Sequence, residues 1–214
     1  MNRHRPFSLR LPLWPLLLFF ANLCGCISTF SELQSAKLLG PGRYELTPSI
    51  SAVTWHEEDD YDDYSDTRVG LQLGAGITPK VDWRVRYERV GMEKDGYNIV
   101  GFGPKFSLLP DRLAFYAPLG FAFGEDLEAS ETLEFHPTML FTWQPNPHVE
   151  LNASGKVLLR KEGDALMAYN LGLGLSPDFE RQLTIRPEIG ILTNPGEPGY
   201  YQHLSLALSV PFGE

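Results

Sequence analysis

The stretch that decides the fold is HLSLALSVPF, which runs from His203 to Phe212 near the end of the chain. Apolar side chains occupy every second position from Leu204 onward, and small or polar side chains lie between them, except at Pro211. Successive side chains of an extended chain point to opposite faces. The alternation therefore predicts a β-strand with one apolar face and one polar face.

The same alternation returns in ten segments of the 214-residue chain. Each is about 11–14 residues long, which is the length that a tilted strand needs to cross a bilayer core. The segments lie at about 42–55, 67–77, 82–92, 97–109, 112–124, 132–143, 148–160, 165–176, 181–192 and 200–212.

Two kinds of connection alternate between these segments. Short turns rich in proline, such as Thr78–Lys80 and Gln144–Pro147, alternate with charged loops such as His56–Asp66. This pattern predicts an all-β, antiparallel, up-and-down transmembrane barrel with an even number of strands and both ends on one side. We expect about ten strands, with eight as the alternative.

Charge indicates which face of the strands points inward. The polar faces carry nearly all the charged residues of the segments, in near balance, so they can pair across a narrow lumen. The alternative is a soluble lipocalin-like barrel with an apolar interior that binds an apolar ligand. The membrane barrel places a set of polar side chains in the lumen: Arg68, Arg84, Arg86, Glu88, Lys105, Glu150, Lys156, Arg186 and Glu188.

The overall composition argues against nucleic acid as a partner. The chain has 18 Lys and Arg against 27 Asp and Glu, for a formal net charge of −9. A phosphate backbone attracts proteins with the opposite balance. The sequence also holds no phosphate loop, nucleotide fingerprint or Cys/His cluster, so we expect no cofactor.

The first residues have the order of a secretory signal peptide, with arginines followed by the apolar run Leu11–Leu23. The tetrad Leu23–Cys26 resembles the bacterial lipobox, which implies cleavage before Cys26 and lipid attachment to that cysteine. A plain signal peptide that is cut nearby, or a short anchor, is the alternative. We therefore expect a signal peptide at 1–25, a periplasmic tether at 26–41 and a barrel at 42–214.

The tether contains the one predicted helix. Thr29 and Glu32 have the spacing of a capping box, and Gly40–Gly42 would end the helix. This interpretation places a short helix, or a simple tether, under the mouth of the barrel.

The alternating segments and the terminal strand ending in Phe212 resemble the small bacterial outer-membrane β-barrel proteins. In those families the chain usually ends on the aromatic residue, whereas Gly213 and Glu214 follow here. The resemblance implies a place in the outer membrane, contact with its lipid and insertion by its assembly machinery. It implies no single activity, so we expect a structural, binding or narrow-pore role rather than an enzyme.

A hydrolase acting on lipid A or peptide at the outer rim is an alternative. Glu134 and His136 share a face and resemble one half of the omptin protease site, but the sequence offers no second acidic pair. His203 and Ser205 resemble the His-x-Ser of outer-membrane lipid A deacylases. With Glu188 nearby they would supply a nucleophile, a base and an orienting acid.

The loop His56–Asp66 holds seven carboxylates. Carboxylate oxygens are ligands for Ca²⁺, although the spacing is not that of an EF-hand. The sequence favours a solvated loop, with a divalent cation or a bridge to lipopolysaccharide as the alternative. The weak candidate ligands are Glu57, Asp59, Asp60, Asp62 and Asp63.

Overall fold

The computed structural model describes residues 31–56, 65–91, 96–124, 127–160, 164–196 and 198–213. These residues form strands, turns and extended segments. Among them no helix is long and apolar enough to cross a membrane.

In the described part of the chain, twelve strands make up ten barrel strands, because β5 with β6 and β7 with β8 each form one barrel strand interrupted at a proline. The strands are β1 (Arg43–His56), β2 (Ser65–Thr78), β3 (Val81–Val90), β4 (Tyr97–Leu109), β5 (Leu113–Tyr116), β6 (Leu119–Phe123), β7 (Glu134–Phe135), β8 (Thr138–Asn146), β9 (Val149–Leu158), β10 (Leu166–Leu175), β11 (Thr184–Thr193) and β12 (Tyr200–Gly213).

Each barrel strand pairs antiparallel with its neighbours along the chain, and β1 pairs with β12 to close the barrel. The all-β up-and-down barrel predicted from the sequence is confirmed, with ten barrel strands rather than eight. The short turns, such as the one at Pro79 and Lys80, lie at one end, which we call the turn end. Both ends of the barrel chain, Gly42 and Gly213, lie at the turn end too. The opposite end is the loop end.

The barrel is apolar outside and polar inside. Leu204, Leu206 and Leu208 of β12 are 64%, 46% and 40% exposed, whereas Ser205 and Ser209 between them are buried. This is the reverse of the lipocalin-like alternative, whose interior would be apolar. That alternative is wrong, because an apolar ligand would find charged side chains in the lumen.

Prolines within the strands explain the interruptions. Pro118 and Pro137 have no backbone N–H to donate, and the pairing breaks at each of them. Their carbonyls still accept hydrogen bonds from the next strand: His136 donates to Pro118 at 3.0 Å, and Val157 donates to Pro137 at 3.1 Å. The wall therefore stays closed although the regular ladder does not continue.

The helix predicted before the barrel is wrong for the described residues. Residues 31–39 form neither a helix nor a strand, and they lie inside the barrel rather than under its mouth. A short isolated helix is marginally stable in water, whereas here lumen side chains bind the backbone of this segment. The Glu32 carboxylate contacts Lys156 instead of capping a helix.

Candidate functional site

The lumen holds a network of buried ion pairs near the turn end. Alternation along β1 and β3 points Glu45, Asp82 and Arg84 inward. Arg84 contacts Glu45 at 2.6 Å and Asp82 at 3.4 Å, and Lys105 of β4 lies 3.5 Å from Asp82. We call these four residues the Arg84 cluster. Gly74 of β2 makes room for it, since a side chain there would meet the Arg84 guanidinium at 2.8 Å.

A second group of contacts connects side chains of β9, β11 and β12. Arg186 of β11 lies 3.3 Å from Glu150 of β9 and donates a 3.0 Å hydrogen bond to Ser209 of β12. Arg186 also lies 3.8 Å from Glu45, which connects this group to the Arg84 cluster. Side chains from both walls therefore meet across the lumen.

All nine lumen residues proposed from the sequence lie inside the barrel and are at most 7% exposed. Period-two alternation is a local property, which is why the sequence could identify their face. The contacts that they make with the segment before the barrel could not be predicted in this way.

That segment, Ser31–Leu39, fills the lumen, and we call it the plug. It enters at the turn end, where Gly42 donates to the Gly76 carbonyl and Leu39 donates to the Asp82 carboxylate. As residue numbers fall, it rises to the level of Arg86, halfway along β3. Ser31 is 3% exposed and accepts hydrogen bonds from Arg86.

Glu188 holds the inner part of the plug. Its two carboxylate oxygens accept hydrogen bonds from the backbone N–H groups of Glu32 at 2.7 Å and Leu33 at 2.8 Å. Leu33 has a φ of +53°, in the left-handed region that non-glycine residues rarely adopt. Consecutive N–H groups that converge in this way form an anion-binding nest. The Glu32 side chain adds a 2.5 Å ion pair with Lys156.

The rest of the plug is bound through its backbone and one lysine. Ala36 donates to the Thr142 hydroxyl at 2.7 Å, and the Lys37 carbonyl accepts from the Lys105 ammonium at 2.7 Å. The Lys37 ammonium lies 2.8 Å from Glu150. Barrel side chains therefore satisfy plug backbone groups that would be costly to bury unpaired.

At the turn end the plug leaves a cavity of about 590 Å³, lined by side chains of both charges that include Lys37, Arg43, Glu45 and Glu150. The near balance of charge matches the expectation of a lumen of paired charges.

The candidate hydrolase residues are only partly brought together. His203 Nδ1 and Ser205 Oγ are 2.8 Å apart, but the second ring nitrogen of His203 faces Asn170 Oδ1 at 2.9 Å. Glu188 binds the plug instead of the histidine. The sequence pattern did not identify Asn170 as a partner of His203, because Asn170 lies on a different strand, β10. Only the inward direction of its side chain could have indicated this contact.

The resulting Ser205–His203–Asn170 arrangement is a buried hydrogen-bond network. The Ser205 hydroxyl donates to Ser51 at 2.7 Å, and His203 and Asn170 are at most 3% exposed. The two side chains meet over Gly190, where a Cβ would lie 2.0 Å from the asparagine oxygen. This arrangement connects β1, β12 and β10 along one side of the barrel.

The omptin-like pair is also hydrogen-bonded, with Glu134 and His136 2.8 Å apart. Arg160 lies beside it, 3.7 Å from Glu134. The candidate metal ligands Glu57, Asp59, Asp60, Asp62 and Asp63 fall outside the described residues. Among the residues that are described, no group of three or more His, Cys, Asp or Glu side chains is arranged to hold a metal ion.

No described protein family and no curated protein matches the sequence. Several solved barrels match in structure. Ail, the attachment invasion locus protein of Yersinia pestis, is 15% identical over 80% of this chain and 99% of its own, with a TM-score of 0.39. The outer membrane protein OprG from Pseudomonas aeruginosa is 10% identical over 85% and 100%, with a TM-score of 0.35.

The translocator domain of the autotransporter NalP from Neisseria meningitidis is 9% identical over 81% of this chain and 89% of its own, with a TM-score of 0.46. At these identities and scores the likeness extends no further than the barrel architecture already described.

Proposed function

We propose that this chain is a bacterial outer-membrane lipoprotein, anchored at Cys26 and inserted by the outer-membrane assembly machinery, whose plug keeps the barrel closed to solutes. Its role is structural or binding rather than that of an open porin. The observation that carries the proposal is the double hydrogen bond from the plug backbone to Glu188, deep in the lumen.

The outer wall supports the membrane location. Large apolar side chains cover it and are well exposed, as Leu171 at 65% and Ile50 at 52% illustrate. In water such a surface would be costly, whereas in hydrocarbon it is favourable.

Aromatic side chains lie near both rims of this wall. At the turn end Tyr44 stacks on Phe212 with ring centroids 5.4 Å apart, and at the loop end His56 lies 5.1 Å from Tyr200. Such aromatic residues mark the interfaces of outer-membrane barrels. We infer that the apolar band between them lies in the bilayer.

The first test measures ion conductance in planar bilayers. The purified, lipidated wild-type protein should stay at the baseline, and Glu188→Gln should open more often. The substitution weakens hydrogen bonds that are each worth about 1.5–3 kcal/mol when an ion takes part, and about 1.4 kcal/mol is tenfold in a population.

Glu45→Gln is the matched control, because Glu45 is also a buried lumen carboxylate but contacts Arg84 and Arg186 of the wall. It should leave the baseline unchanged. Large, steady conductance steps in the wild-type protein would show that the lumen is open and would refute the closed barrel.

The anchor has a separate test. Cys26→Ser should abolish incorporation of radiolabelled fatty acid and leave an unprocessed precursor on gels, because the thiol that accepts the lipid is gone. Cys24→Ser is the control and should be labelled as the wild type is. Normal labelling of Cys26→Ser would refute lipidation at this position.

A further inference from the structure

A groove of about 410 Å³ lies on the outer wall of the barrel, across β9 to β12. Asn152 and Glu188 also line it although their side chains are buried on the lumen face, so the groove reaches down to the main chain of the wall. Its volume is within the range of about 300–1,000 Å³ that is typical of small-molecule sites. The side chains that line it from outside are all apolar: Leu151, Leu171, Leu173, Pro187, Ile189 and Leu204.

Pro187 explains why the groove lies at this place. Gly172 of β10 pairs with Glu188 of β11, and Leu175 pairs with Ile185, whereas the two positions between them on each strand are not paired. Pro187 lies in this interval and has no backbone N–H to donate to the ladder. Its ring also extends less far from the wall than the leucine and isoleucine side chains around it. The groove is therefore a built feature of β10 and β11.

The groove lies in the turn-end half of the wall. Pro187 and Ile189 are three and five residues from Thr184, where β11 begins at the turn end, and Leu204 of β12 lies opposite Ile189. At about 3.3 Å per residue and a tilt of about 40°, these positions are about 8 Å and about 13 Å along the barrel axis. The apolar band of an outer-membrane barrel is about 25 Å tall, and its short turns face the periplasm. The groove therefore opens into the periplasmic leaflet, which consists of phospholipids, whereas lipopolysaccharide occupies the other leaflet.

The chemistry of the groove fits a hydrocarbon chain. Its outward side chains include no charged or polar group that would bind a headgroup. A chain in the groove contacts apolar atoms below it and on both sides, whereas an empty groove loses these dispersion contacts. A protein partner would need about 20–30 residues on each side, and only nine line the groove.

We propose that this groove binds one acyl chain of a phospholipid from the periplasmic leaflet. The chain lies over Pro187, between Leu173 of β10 and Leu204 of β12. This inference rests on the proposed membrane location of the barrel and adds a lipid site on its outer wall.

Native mass spectrometry of the lipidated full-length protein tests this site. The protein is inserted into vesicles of phosphatidylethanolamine and lipid A and then transferred into detergent micelles. The wild-type protein should retain one phosphatidylethanolamine at collision energies that remove the remaining lipid. Retention of lipid A instead, or of no lipid, would overturn the proposal.

Pro187→Leu should lower the retained fraction by about tenfold, because the leucine side chain fills the groove and its N–H can pair with β10. Pro48→Leu is the matched control, since Pro48 is also an exposed proline within a strand but does not line the groove. It should retain the phospholipid as the wild type does. Equal retention by the two variants would overturn the proposal.

A second pair of variants leaves both prolines in place. Ile189→Trp fills the groove with a larger side chain and should also release the phospholipid, whereas Ile185→Trp, on the same face of β11 but outside the groove, should not. Retention by Ile189→Trp would contradict the site. If the wild-type protein inserts and does not conduct but retains no phospholipid, the proposed function stands and only the lipid site fails. A protein that does not insert would overturn the membrane location and the site together.

Discussion

Replacement of the plug by a glycine–serine linker of the same length should convert the closed barrel into a conducting one. The linker keeps the number of residues between Cys26 and β1, so anchoring and assembly should be preserved. It lacks the Glu32 side chain that binds Lys156 and the Lys37 side chain that binds Glu150. A flexible glycine-rich chain also loses more conformational entropy on being ordered than the native segment does.

The expected effect exceeds that of Glu188→Gln because every side-chain contact of the plug is lost together. Glu32 and Lys37 each contribute a charge-assisted contact of about 1.5–3 kcal/mol, so their joint loss lowers the seated population by at least about a hundredfold. Single-channel recording should show long open periods where the wild-type protein shows a flat baseline.

A linker of equal composition in place of residues 57–64 is the control, because that stretch belongs to the acidic loop and not to the plug. It should leave the baseline unchanged. If the plug-replacement variant folds and inserts but does not conduct, the wall side chains alone close the lumen, and the closing role assigned to the plug is wrong.

The strands and the orientation of their faces could be predicted because their signal is local. Leu204, Leu206 and Leu208 alternate with small polar residues whatever the rest of the chain does. Pro118 and Pro137 lie within the predicted strands, where each lacks the backbone N–H that the ladder needs. Only the structure shows that they interrupt two barrel strands while their carbonyls keep the wall closed.

The plug could not be predicted because its conformation depends on residues far away in the sequence. Thr29 and Glu32 have a helical capping pattern, but the Glu32 backbone binds Glu188, which lies 156 positions away. The same reason explains why Glu188 was placed with His203 and Ser205. The sequence pattern placed Glu188 beside the correct neighbours in the sheet. Its hydrogen-bond partners, however, belong to the plug, whose sequence does not alternate as a strand does.

Loss of Arg84 should destabilise the barrel more than loss of any exposed arginine. Its guanidinium is 2% exposed and neutralises Glu45 and Asp82, which are also buried. Arg84→Met keeps much of the side-chain volume but leaves these carboxylates with fewer partners. Removing one member of a buried ion pair typically costs about 3–5 kcal/mol. Since Lys105 and Arg186 lie near the same carboxylates, we expect a value at the lower end.

Urea unfolding of the refolded protein in lipid vesicles measures this difference. Arg43→Met is the matched control, because Arg43 pairs with Glu180 at 2.9 Å where both side chains are exposed. Exposed pairs contribute about 0–1 kcal/mol, so this variant should unfold close to the wild type. Equal unfolding midpoints for the two variants would mean that the Arg84 cluster contributes no more than an exposed ion pair, which would contradict its burial in the lumen.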